Sequence, residues 1–108
     1  MNSGKPYSVQ ESIDYAEGSV ISKTLLKKKT GSITLFSFDT GQGLSEHTSP
    51  FEAVVQVTEG TAQISINREA QTVSAGEMII LPANIPHALH AEERFKMMLI
   101  MIRSNDEK

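Results

Sequence analysis

The chain has 108 residues, room for one domain, and its 10 Lys and Arg against 13 Asp and Glu leave a formal charge of −3, so no basic surface awaits a polyanion and nucleic acid is not an expected partner. Cysteine is absent, which excludes disulfides, thiolate zinc sites and cysteine nucleophiles and agrees with a reducing compartment. Residues 1–6 lack the apolar run of a signal peptide and no stretch approaches the roughly 20 apolar residues of a membrane span, so the expected location is cytoplasmic, with no membrane partner.

Residues 1–17 read as a polar N-terminal arm with at most one helical turn, where Ser8 and Glu11 have the spacing of a capping box. From Val20 the pattern changes to short β-rich runs divided by Gly, Pro and Asn, and strands are expected at 20–27, 32–39, 44–47, 53–58, 62–66, 71–73, 78–81, 88–91 and 95–102. Nothing reads as a long helix, and no internal repeat appears. The expected organisation is one all-β domain over 18–104 and a polar tail at 105–108.

Three features along this pattern bear on function. Lys27, Lys28 and Lys29 sit at a strand end, where charge keeps an exposed edge soluble and blocks edge-to-edge pairing, and that reading is preferred to an anion site. Alternation in the last strand places Phe95, Met97, Leu99 and Met101 on one face and Met98, Ile100 and Ile102 on the other, so both faces are apolar. One face is expected to line a barrel; the other needs a cover, either a second subunit in a homodimer or the arm's own Tyr7, Val9 and Ile13.

Two spaced signatures remain. The first runs Ser45-Glu46-His47, then Thr48-Ser49-Pro50-Phe51-Glu52-Ala53, and closes on Gly60; the second has Gly76, then Pro82, Asn84 and His87. Together they resemble the two motifs of the cupin superfamily, in its small single-domain form, over the chain from Gly18 onward. The second motif fits with Asn84 in place of the usual glycine, a mild change because Asn tolerates a left-handed turn. In the first, the family's two histidines fall on Ser45 and His47 and its glutamate on Ala53, so two of four expected metal ligands are left.

The resemblance implies a cupin-type (RmlC-like) jelly-roll β-barrel of two antiparallel sheets. With alternation, it places Ser45, His47, Ala53, Val55, His87 and Leu89 on the cavity wall, and turns His90 the other way. Serine is a weak ligand and alanine none. Glu52 is the available substitute, one residue out of register unless a bulge after Pro50 turns it inward. Three functions follow as expectations. The first is a cupin that binds a small molecule in the barrel with little or no metal. The second is a metal-dependent dioxygenase- or isomerase-like enzyme holding one divalent Fe, Mn, Ni or Zn with His47, His87 and Glu52, and the third is a dimeric interaction module.

Overall fold

In the computed structural model, which describes residues 3–103, nine strands follow one turn of 3-10 helix at Gln10–Ser12. The turn starts where the capping pattern lies, and the Glu11 amide donates to Ser8 Oγ at 3.2 Å. The strands are β1 (Val20–Lys28), β2 (Gly31–Phe38), β3 (Gly43–His47), β4 (Glu52–Glu59), β5 (Thr61–Ile66), β6 (Glu69–Ser74), β7 (Met78–Leu81), β8 (His87–His90) and β9 (Phe95–Ile102). They form a five-stranded sheet in the order β1-β2-β9-β4-β7 and a four-stranded sheet in the order β3-β8-β5-β6. Every pairing is antiparallel. This is the two-sheet jelly roll expected from the motifs. The tail expected at 105–108 lies outside the described residues.

The largest departure in strand length is β6, which begins at Glu69 rather than at 71. Asn67 and Arg68 both take positive φ, 53° and 69°, the conformation of a two-residue hairpin turn. Pairing therefore starts at once, with Ile66 opposite Glu69.

The inner faces close on an aliphatic and aromatic core. Phe38 and Phe95 stack with ring centroids 4.5 Å apart, and Val55, Val57, Ala62 and Ile64 are fully buried around them. Gly60 turns β4 into β5 against this core with φ 77°. A Cβ there would meet the Arg94 carbonyl oxygen at 2.6 Å, so the position needs glycine for both conformation and space.

The arm folds onto the outer face of the five-stranded sheet. Lys96 Nζ donates to the Gln10 carbonyl at 2.7 Å and Ser37 Oγ to the Asp14 carbonyl at 2.8 Å, while Ile13 is buried. Glu59 receives the Tyr15 hydroxyl at 2.5 Å and the Gln10 side-chain amide at 2.7 Å. These two donors hold the Glu59 carboxyl below its ordinary range, and they latch the arm to the end of β4. Among the described residues no helix is long and apolar enough to cross a membrane.

Candidate functional site

Between the sheets lies a cavity of about 120 Å³ whose wall is almost wholly apolar. Alternation explains which side chains reach it. On β4, Ala53 and Val55 face in; on β9, the set is Met97, Leu99 and Met101; Leu89 and His87 come from β8 and His47 from β3. Phe36, Leu44, Ser49 and Leu81 complete the wall. These four were not singled out from sequence, although Phe36 and Leu81 share inward parity with residues that were.

Ser45 was expected on this wall and is not part of it. The reason is a bulge in β3. Leu44 pairs with Leu89 and His47 with His87, so three residues advance on one strand against two on the other. The insertion reverses parity between Leu44 and His47, which lets both face the cavity and turns Ser45 out to solvent. Its carbonyl still serves the site, lying 2.7 Å from His47 Nδ1.

Glu52 is likewise outside. It pairs with Ile102, is exposed, and lies on the outer face because Ala53 beside it faces in. The bulge that would have turned it inward formed in β3 instead. His90 is exposed and points away from the pair, as alternation requires.

The two histidines meet at the cavity mouth. Their Nε2 atoms are 3.1 Å apart and the rings meet edge to face at 72°. The loops that carry them are tied together, since the Asn84 amide donates to the Ser49 carbonyl at 2.7 Å. Asn84 has φ 65°, the left-handed turn that asparagine tolerates. Each ring is also anchored by its far nitrogen. His47 Nδ1 lies 2.7 Å from the Ser45 carbonyl and His87 Nδ1 lies 3.3 Å from that of Ile85. A carbonyl only accepts, so both Nδ1 atoms carry the protons. In the neutral rings, both Nε2 atoms then carry lone pairs, 3.1 Å apart.

Such an arrangement is unsatisfied until a third body enters: a proton, a ligand donor or a cation. Two nitrogens roughly 2.1 Å from one ion, near a right angle, stand about 3 Å apart, so the spacing suits two cis ligands. The rest of a family-type metal shell is missing. Among the described residues, no three His, Cys, Asp or Glu side chains gather as a ligand set. The residues present do not fit the four-ligand site that the motifs imply.

Burial lowers the His87 pKa, with a further lowering from His47 and a partial offset from the Ile85 carbonyl. A group whose folded pKa is depressed favours folding above its unfolded value and loses that contribution as the folded pKa is approached from above. Stability should therefore be level above pH 7, decline as pH falls below the ordinary histidine value of 6.5, and fall again below 4.5 as Glu59 loses its two donors. Melting temperatures across pH 3 to 8 check this. His87→Phe should remove the upper step and keep the lower; an upper step that survives would assign it elsewhere.

The description "Cupin domain" belongs to the family model that matches residues 34–103. A conserved protein of unknown function from Streptococcus pyogenes is 34% identical, with 97% of this chain and 92% of that one covered and a TM-score of 0.91. A cupin 2 conserved barrel domain protein from Leptotrichia buccalis is 40% identical over 84% of this chain and 44% of its own, with a TM-score of 0.82. Two more distant barrels share the fold alone. They are a putative mannose-6-phosphate isomerase from Ralstonia eutropha (18% identity over 93% of this chain and 99% of that one, TM-score 0.80) and a salicylate 1,2-dioxygenase from Pseudoaminobacter salicylatoxidans (19% over 77% and 25%, TM-score 0.72). No curated protein matches the sequence. The matched motifs, the two-sheet barrel and the family match over most of the domain agree: this chain belongs to the cupin family.

Proposed function

We propose that this cupin binds a small, mostly apolar molecule that carries one hydrogen-bond donor, with little or no metal. The observation that supports this reading is the pair of Nε2 atoms, 3.1 Å apart, at the mouth of an otherwise apolar cavity of about 120 Å³. Apolar cavities of this order, about 150 Å³ in an engineered case, stay dry and take benzene. Here a ring or short branched chain fills the apolar part. Its O–H or N–H then points between the two nitrogens and is shared by their lone pairs in a three-centre bond, and the donor end sets the orientation of the molecule.

Phenol and toluene separate shape from chemistry, because they are similar in size and differ in the donor. In calorimetric titrations phenol should bind about tenfold more tightly than toluene, the worth of one net hydrogen bond. His87→Phe should abolish that preference. Equal affinities, or no binding by either, would sink the reading.

A second reading, a metal-dependent enzyme of the dioxygenase or isomerase kind, draws support from the cis-ligand spacing of the two imidazoles alone. It requires further donors from water or substrate. Elemental analysis after dialysis against divalent ions distinguishes it: near-stoichiometric metal that is lost on His47→Ala favours the enzyme.

A further inference from the structure

The arginines of this chain are not partnered alike. Arg94 Nη2 bonds an Asp39 oxygen at 3.0 Å and Arg68 Nε lies 3.6 Å from Glu46. Arg103 pairs with no carboxylate among the described residues. Its Nε is buried without a hydrogen-bond partner, and its Nη2 lies 3.7 Å from the thioether sulfur of Met101, a weak acceptor. A guanidinium has five N–H donors, and a buried one left without an acceptor marks a place where something else is to bind.

The backbone carries this cation to the cavity mouth. Met97, Leu99 and Met101 face the cavity, and Arg103 follows them at the same parity. Its amide donates to the Thr30 carbonyl at 2.7 Å, which extends the β2–β9 ladder one step beyond the Gly31 and Ile102 pair and keeps that parity. On the other side of β9, Phe51 lies one step beyond the Glu52 and Ile102 pair, and the guanidinium stands 5.4 Å from its ring centre. The Phe51 amide donates to Ser49 Oγ at 3.2 Å. Ser49 and Met101 are both cavity wall, so the cation lies against wall residues at the end where His47 and His87 stand. Glu52 is on the outer face and does not neutralise it.

We propose that Arg103 holds the carboxylate of the molecule that the cavity takes, which makes this ligand a small apolar hydroxy acid. The proposal rests on the reading of the imidazole pair as the seat of a donor group. The hydroxyl donates between the two Nε2 atoms, the carboxylate accepts from the guanidinium, and a short branched chain fills the apolar space behind. Because the imidazoles and the guanidinium stand at one end of the cavity, the hydroxyl and the carboxylate belong at one end of the ligand, as in a 2-hydroxy acid. One guanidinium balances one negative charge, which fits a carboxylate better than a phosphate dianion.

2-Hydroxyisovalerate and 2-hydroxyisovaleramide have nearly the same shape and differ in charge. In calorimetric titrations of the full chain at neutral pH, the acid should bind about tenfold more tightly than the amide, as a charge-assisted bond requires. Arg103→Met should bring the acid down to the amide and leave the amide within about threefold of its parent affinity. Arg103→Lys should restore part of the preference, since it keeps the charge and loses the fork. The preference for phenol over toluene reports the imidazole pair alone and should survive Arg103→Met. Equal binding of acid and amide while phenol is still preferred would overturn the role of Arg103 and leave the donor reading standing. An acid preference that outlives Arg103→Met would overturn it as well. Equal binding of phenol and toluene would sink the donor reading and this proposal with it.

Discussion

Phe95→Ala should lower the free energy of unfolding by about 3–5 kcal/mol. The ring is fully buried and stacks on Phe38 at 4.5 Å with an interplanar angle of 12°, so its loss removes both transferred surface and a packed aromatic pair. The void cannot easily collapse. Its roof is the β4–β5 turn, where Gly60 already sits so close that a Cβ would touch Phe95 Cβ at 3.1 Å, and its floor includes Val57 and Ala62 of the buried cluster. A domain of this size has a total stability of roughly 5–15 kcal/mol, so the loss takes a large share. Urea denaturation measures it as a fall in midpoint at unchanged slope. A loss under about 1.5 kcal/mol would mean that the Phe38–Phe95 stack is not the centre of the core.

What could be read from sequence divides along local and non-local lines. Strand positions followed from alternation and turn residues because both are local: Gly60, Gly76 and Pro82 mark strand ends wherever the chain folds. His87 and Ala53 were placed by counting from those marks. Ser45 was misplaced because counting assumes unbroken register, and the β3 bulge exists only in relation to β8. The same bulge lets Leu44 and His47 both reach the cavity, whereas Glu52 stays on the outer face by simple alternation with Ala53. The anchoring of both imidazoles through Nδ1 was equally invisible, since it depends on the carbonyls of Ser45 and Ile85 turning toward the rings. The two apolar faces of β9 were legible, but not that the arm would cover Met98 while leaving Ile102 bare. That division depends on where Lys96 catches the Gln10 carbonyl, a contact between residues 86 positions apart.

Ala53→Glu should convert the site into a metal centre. Ala53 is 4% exposed, lies on the same cavity wall as His47 and His87, and occupies the position where the family motif has its glutamate. Without metal the new carboxyl is buried among Val55, Leu81 and Met101, at a cost of about 1–3 kcal/mol, and it stays protonated. With metal the balance reverses. The carboxylate joins two imidazole nitrogens already set at a cis-ligand spacing, which makes three protein ligands with positions left for water. Because the ion binds only the folded chain, Zn²⁺, Mn²⁺ or Ni²⁺ at 100 times its dissociation constant should return about 2.7 kcal/mol. Thermal melts with chelator and with each ion measure both steps. The parent protein, with two ligands, should shift far less than the variant, and combining Ala53→Glu with His87→Phe should erase the ion's effect. An Ala53→Glu variant that folds yet ignores all three ions would show that Ala53 and the paired Nε2 atoms do not converge on one point, and the geometry assigned to the cavity mouth would fail with it.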